Sequence, residues 1–227
     1  ALPIFCRDKN RIAQQADIMG AALHGVENIC CLTGDDVTAG DEPEARRVFD
    51  LDGPQLIRVA SSLKEGRYLS GRSVGTPPPL VIGAVENPGT HPLDYRAQRA
   101  AKKILAGARY LQLQICYHPE RLEAFVAALH ERGFSARCAI LPTVLAVKGA
   151  GPLRFMDSSV PGISVPAEVI AVGPTQDFSW TVTIDAGRAR RLAGGTDDQG
   201  LSVGRDSGTE RIAAGRVAGL HVGLLQP

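Results

Sequence analysis

The stretch Ile29-Cys-Cys-Leu-Thr-Gly-Asp-Asp36 (ICCLTGDD) joins an apolar run to a glycine and two carboxylates. A short apolar run that ends in turn residues is typical of a buried strand. In parallel α/β proteins the ligands bind at the carboxyl ends of the strands, so a strand that delivers an aspartate there predicts a binding site. A solvated turn needs only the Gly-Asp pair. The stretch alone leaves both interpretations open.

Strand-like and helix-like segments alternate outward from this stretch. The spacing of apolar residues predicts a helix from Asn10 to Val26, with Ile12, Ala16, Met19 and Leu23 in its period and Asp8 or Asn10 as its cap. Further helices are predicted from Asp52, with Pro54 in the first turn, from Leu93 to Leu105, and from Pro119 to Arg132. Strands are predicted near 2–6, 28–33, 79–84, 109–115, 138–145 and 219–224. This alternation predicts parallel βαβ units.

Composition restricts the class of partner. The chain of 227 residues is long enough for one α/β domain, and 25 Lys and Arg nearly balance 24 Asp and Glu. No strong overall charge favours nucleic acid or an anionic membrane, so we expect a small-molecule ligand. The sequence has five cysteines without zinc-type pairs, no signal region and no apolar run of spanning length. We therefore expect reduced thiols, a cytoplasmic protein and no metal site.

Two segments fall outside the alternation. Residues Gly71 to Gly75 satisfy the G-x-S-x-G pattern, but Ser73 follows a predicted helix and precedes a proline run. A hydrolase nucleophile needs a strand-to-helix turn at that serine, so we reject that interpretation. The segment Ala171 to Gln199 has no helical period and is predicted to be a loop, with a short strand at Trp180 to Ile184.

Five stretches together resemble the methylenetetrahydrofolate reductase family. They are FCRDKNRIAQQADIMGAALHGVENICCLTGDD, VFDLDGPQLIRVA, GAVENPGTHPLDYRAQRAAKKILAGARYLQLQ, RFMDSSVPGISVPAEVI and VAGLHV. The likeness runs through most of Pro3 to Ile170 and resumes weakly from Gly200. The resemblance implies a (β/α)8 TIM barrel of one-carbon metabolism and methionine biosynthesis. Its reaction passes a hydride from NAD(P)H to FAD and then to 5,10-methylenetetrahydrofolate, giving 5-methyltetrahydrofolate.

The same resemblance assigns roles to six residues. Asp35 would serve as a catalytic and flavin-contacting carboxylate that also hydrogen-bonds the folate pterin, and His91 would contact FAD. Arg99, Lys102 and Lys103 would bind the FAD pyrophosphate. Gln114 would bind the pterin, because an amide both donates and accepts hydrogen bonds.

Each of these residues also has an ordinary structural interpretation. Asp35 is a candidate helix cap, His91 a candidate loop residue that caps the next helix, and Gln114 a candidate polar cap on a strand. Arg99, Lys102 and Lys103 lie at positions i, i+3 and i+4 and are predicted to form one cationic patch on one helix face, which is compatible both with phosphate binding and with a solvated surface.

The sequence departs from the family pattern at several places. The family's catalytic glutamate lies on the first barrel strand, and no residue here matches it. The chain is expected to lack the first two βα units and the last helix, since a TIM barrel typically has about 250 residues. Pro3 stands at the position where the family often has a flavin-contacting histidine. Val85 or Pro88 stands near the position of an aromatic residue that contacts the flavin in the family. We therefore expect an incomplete or divergent barrel whose open edge favours a homo-oligomer.

Three functions remain open on the sequence. The first is flavin-dependent reduction of methylenetetrahydrofolate with NAD(P)H. The second is a catalytically silent member that binds folate or a partner. The third is a relative that uses a different flavin or a deazaflavin. The choice between NADH and NADPH stays open in all of them.

Overall fold

The computed structural model describes residues 1–147, 149–172, 204–206, 209–211 and 221–224. Six helices and nine strands lie in these ranges. The helices are α1 (Arg11–Leu23), α2 (Gly53–Lys64), α3 (Leu93–Ala106), α4 (Pro119–Glu131), α5 (Ala150–Ser159) and α6 (Ala167–Val172). The strands are β1 (Leu2–Phe5), β2 (Asn28–Leu32), β3 (Val81–Glu86), β4 (Tyr110–Leu113), β5 (Ala139–Leu141), β6 (Thr143–Ala146), β7 (Gly204–Asp206), β8 (Thr209–Arg211) and β9 (His221–Leu224).

The main sheet has five strands in the order of the chain, β1-β2-β3-β4-β5. Strand β2 runs parallel to β1, with Ile4 opposite Cys31, and parallel to β3, with Cys31 opposite Ala84. This confirms an α/β fold with a parallel sheet. Closure into a (β/α)8 barrel stays a prediction.

The chain divides into two compact units. The first contains residues 1–86 and 98–112, and the second contains residues 87–97 and 113–227. The first unit therefore holds β1, β2 and β3 with α1 and α2. Asp35, Arg99, Lys102 and Lys103 belong to the first unit, whereas His91 and Gln114 belong to the second.

Helix α2 folds as the sequence predicts. The Asp52 side chain accepts a hydrogen bond from the Gln55 backbone N–H at 2.7 Å, and the Gln55 side chain accepts one from the Asp52 N–H at 2.9 Å. This reciprocal pair satisfies two backbone donors that a helix start leaves open. Leu56, Ile57 and Leu63 are fully buried, and the helix packs on β2 and β3. The cap and the apolar face therefore fix the same helix.

Helix α1 begins after Asn10, whose side chain accepts from the N–H groups of Ile12 and Ala13. Its buried face is not the apolar stripe seen in the sequence, because Ile12 is 74% exposed and Leu23 is 85% exposed. The helix instead buries Gln14 and Ile18. The Gln14 amide donates to the Phe5 carbonyl at 3.0 Å, which ties α1 to the end of β1.

The prediction of one strand over 138–145 is wrong. The segment forms two strands, β5 and β6, in different sheets, and Pro142 separates them. Proline has no N–H to donate to a sheet ladder, so it interrupts the strand at this point. Strand β6 pairs in parallel with β9, with Thr143 opposite His221, which agrees with the strand predicted near 219–224.

The end of the chain agrees only in part with the predicted loop. Helix α6 extends to Val172, two residues into the segment predicted as irregular. The remainder, with the strand predicted at Trp180 to Ile184, lies outside the described residues. Strands β7 and β8 pair antiparallel. Within the described ranges, no helix is long and apolar enough to cross a membrane.

Candidate functional site

Asp35 lies just beyond the carboxyl end of β2 and is exposed. Gly34 precedes it with φ of 91°, and a Cβ there would lie 3.2 Å from side-chain atoms of Arg7 and Phe5. Glycine therefore suits both the backbone conformation and the close approach. The Arg7 guanidinium donates to the Asp35 backbone carbonyl at 2.7 Å, which fixes the main chain at this residue.

The neighbouring Asp36 takes the structural role. Its carboxylate accepts from the Thr38 N–H at 3.0 Å and caps a short 3-10 turn at Val37–Ala39. The Arg47 guanidinium donates to the same carboxylate at 2.8 Å and is the main reason that its pKa lies below the usual range. In the described part of the chain the Asp35 carboxylate makes no hydrogen bond. The two aspartates at the end of the ICCLTGDD stretch therefore have different roles. Asp36 stabilises the turn, and Asp35 presents its carboxylate to solvent.

The strand next to β2 ends in a second carboxylate, which is buried. Glu86 is the last residue of β3, and its side chain is 1% exposed. Lys103 of α3 donates to Glu86 Oε2 at 2.8 Å and to the Val85 carbonyl at 2.6 Å. Because β2 and β3 are parallel, Asp35 and Glu86 lie at the same edge of the sheet.

The three cations predicted to form one patch are in different environments. Lys103 is buried, with a side chain 10% exposed, whereas Lys102 is exposed. Arg99 is intermediate, with its Nε 3.9 Å from Glu86 Oε2 and its side chain 42% exposed. The structure therefore brings Arg99 and Lys103 together on one carboxylate. Lys102 lies on a different face of the helix from Lys103.

His91 lies in the loop after β3 and is exposed. The buried Arg96 holds this loop, because its guanidinium donates to the carbonyls of Thr90 at 2.5 Å and His91 at 2.6 Å. In the same unit the Asn87 amide donates to the Gly162 carbonyl at 2.7 Å. The imidazole is therefore carried on a loop whose backbone is fixed by hydrogen bonds.

Gln114 directly follows β4 and is exposed. Its side-chain oxygen accepts from the N–H of Ile115 at 3.0 Å. The oxygen of the Gln114 amide is therefore already hydrogen-bonded to the neighbouring backbone. It agrees with the polar-cap interpretation, and the predicted contact with a pterin stays a prediction.

Sequence reasoning missed Glu86 and Arg96. Glu86 could have been found by the argument applied to Asp35, since it too is a carboxylate at the end of an apolar strand. Arg96 carried no such signal, because an arginine in the first turns of a helix is usually solvated. Its role depends on the loop that folds back over it.

The cysteines of this sequence lie mostly in buried positions. Four of the five are buried, and Cys116 is intermediate. Burial is the main cause that raises the pKa of Cys6 to about 11. Among the described residues, no group of three or more His, Cys, Asp or Glu is placed to hold a metal ion.

Strands β2 and β3 are followed by or end in carboxylates, and Lys103 and Arg99 of α3 lie beside one of them, at the edge of the sheet where parallel α/β proteins bind ligands. Residues 1–177 match the family model of methylenetetrahydrofolate reductase. The chain therefore belongs to the methylenetetrahydrofolate reductase family, which confirms the resemblance drawn from the sequence.

Other comparisons add little. One similar solved structure is an uncharacterized protein from Clostridium thermocellum that binds two copies of 5-methyl-5,6,7,8-tetrahydrofolic acid. It shares 18% identity over 74% of this chain and 72% of that chain, with a TM-score of 0.36. At that TM-score the likeness carries no argument about function. No curated protein gives a significant match.

Proposed function

We propose that the protein reduces 5,10-methylenetetrahydrofolate to 5-methyltetrahydrofolate with NAD(P)H and bound FAD. The observation that carries the proposal is the exposed Asp35 carboxylate at the carboxyl end of β2, inside the segment that matches the family. An aspartate that only stabilised the turn would be occupied by turn contacts, as Asp36 is.

The reaction transfers a hydride to the methylene carbon, breaks one carbon–nitrogen bond of the bridge and adds a proton to the released nitrogen. When bound, FAD carries the hydride between the nicotinamide and the folate. Asp35 would accept hydrogen bonds from donors on the pterin ring and so orient it. Its negative charge would act strongly on a bound flavin and folate, because a ligand that covers it excludes water.

The cations of α3 fit the pyrophosphate of FAD to different degrees. Arg99 and Lys102 are accessible, and a guanidinium can bind a phosphate through two hydrogen bonds. Lys103 is directed to Glu86 and the Val85 carbonyl. We propose that Arg99 and Lys102 make the main phosphate contacts and that Lys103 is occupied by Glu86.

The test compares two adjacent aspartates. Asp35→Asn keeps the shape of the side chain and removes its charge, so it should lower folate turnover by about 10²-fold or more, with little change in unfolding midpoint. Asp36→Asn is the matched control: it weakens the contact with Arg47 and should lower stability with turnover retained. Equal turnover in wild type and Asp35→Asn would refute the role of Asp35.

A second function is favoured by the pairing of Lys103. A cation predicted for phosphate binding is neutralised by a buried carboxylate of the same unit. A family member that binds folate without flavin chemistry has no need of a free lysine there. Binding of methylenetetrahydrofolate without FAD binding or turnover would favour this second function.

A further inference from the structure

Glu86 is an ionisable group that the proposed reaction does not use. Its carboxylate is buried at the end of β3, beside Lys103 at 2.8 Å and Arg99 at 3.9 Å. A carboxylate this deeply buried is uncommon unless it is paired with a cation. Both contacts use the same oxygen, Oε2. The three residues Glu86, Arg99 and Lys103 are called the Glu86 cluster below.

The charge of the Glu86 cluster differs from the charge that its helix sequence indicates. Two cations on one helix face suggest a charge of +2 for an incoming anion. The buried carboxylate reduces the sum to +1. Because Glu86 and Lys103 are largely shielded from water, this cancellation is screened less than it would be on the surface. Arg99, which is more exposed, is left as the accessible cation of the cluster.

We propose that Glu86 is a specificity-determining residue that lowers the affinity of this helix face for phosphorylated ligands. An anion that approaches Lys103 must compete with a carboxylate already in contact with the ammonium. It is also repelled by the negative charge of Glu86, which lies 3.9 Å from the Arg99 guanidinium. The inference rests on the proposed function only in naming FAD as the natural phosphorylated ligand.

The consequence is selectivity by charge. A ligand with a diphosphate loses more affinity to Glu86 than one without phosphate, because repulsion grows with the charge of the ligand. FAD and ADP carry a diphosphate, and riboflavin shares the flavin ring without phosphate. Comparing these three probes separates an effect on the phosphates from an effect on the flavin ring.

The experiment measures binding of ADP, FAD and riboflavin to the full chain by equilibrium dialysis. Glu86→Gln keeps the shape and still lets an amide oxygen accept from Lys103. We expect ADP and FAD to bind about tenfold tighter or more, with the gain reduced by added salt and riboflavin unchanged. Glu65→Gln is the matched control, since it also removes one negative charge but from a side chain 61% exposed. It should leave all three affinities unchanged.

A second variant covers the case in which Glu86→Gln fails to fold. The pair replacement Glu86→Met with Lys103→Met removes one charge of each sign and leaves the sum at +1, and buried ion pairs commonly tolerate apolar replacement. We expect ADP affinity equal to wild type. A loss of affinity would show that Lys103 binds the anion directly and would overturn the proposal.

The outcomes separate this inference from the proposed function. Tighter ADP binding by Glu86→Gln supports the inference even if wild type neither binds FAD nor turns over folate. Unchanged ADP and FAD affinity in a folded Glu86→Gln variant overturns the inference, whatever the enzyme activity of the wild type. A gain for riboflavin equal to the gain for FAD also overturns it, because the effect would then not depend on phosphate.

Discussion

The hydroxyl of Tyr110 on β4 donates a hydrogen bond to the carbonyl of Ile29 on β2, at 3.0 Å. The ring thereby crosses β3, and it lies over Gly83. A Cβ built on Gly83 would fall 2.0 Å from the nearest ring atom of Tyr110. The glycine in the middle of β3 is therefore required by the packing of a tyrosine that connects two strands of the first unit.

Gly83→Ala should destabilise the protein by about 1–3 kcal/mol or more, because the ring must leave its position to admit a methyl group. Gly20→Ala is the control, since nothing lies within 4 Å of that helical position. It should stabilise by about 0.5–1 kcal/mol through helix propensity. Urea unfolding midpoints measure both. The double variant Gly83→Ala with Tyr110→Val should lose less stability than the sum of the losses in the two single variants.

Lys103→Met should destabilise by about 3–5 kcal/mol, because it leaves the buried Glu86 carboxylate without its closest cation. The pair replacement with Glu86→Met should recover most of that loss. Chemical denaturation of the two variants and wild type gives the comparison. A single variant as stable as wild type would mean that Glu86 is accessible to water or to another cation.

Acid should weaken the ion pair between Arg11 of α1 and Asp50. The Arg11 side chain and backbone N–H both donate to Asp50, and these bonds lower the pKa of Asp50 to about 2, from 3.8. A carboxyl whose folded pKa is depressed contributes stability above its unfolded pKa and loses it as pH falls through the folded value. Asp50→Asn should therefore lower the thermal midpoint at pH above about 4 and make little difference near pH 2. A constant difference across this range would contradict the pairing.

The five thiols should react slowly with iodoacetamide in the native protein. Burial is the main cause that raises the pKa of Cys6, Cys30, Cys31 and Cys116, and the thiolate is the reactive form. Cys116, which is the most accessible of the five, should be labelled first. Mass spectrometry of labelled protein counts the modified thiols. Cys116→Ser should abolish the early labelling, and urea should expose all the remaining thiols; rapid native labelling of Cys31 would contradict the packing of β2.

Sequence patterns predict those parts of this fold in which local signals and packing agree. At α2 the cap, the proline and the apolar face all indicate the same helix, and the structure has it. At α1 the apolar stripe misleads about the buried face, because the Gln14 amide finds a backbone partner at the end of β1. No local pattern reports such a long-range bond.

The candidate site shows the same limit. The position of Asp35 follows from an apolar strand and a Gly-Asp turn, which are local features. The pairing of Arg99 and Lys103 with one buried carboxylate, by contrast, depends on Glu86, which is 13 or more positions away along the chain. Helical spacing identifies residues that share a face but says nothing about what the facing strand presents to them.

The proposed function is tested most directly by one half-reaction. The full chain is loaded with FAD, the flavin is reduced with dithionite under nitrogen, and 5,10-methylenetetrahydrofolate is added. We expect the visible flavin absorbance to return as 5-methyltetrahydrofolate forms in equal amount, and Asp35→Asn to slow both together. Failure of wild-type protein to reoxidise bound flavin or to form 5-methyltetrahydrofolate would contradict it.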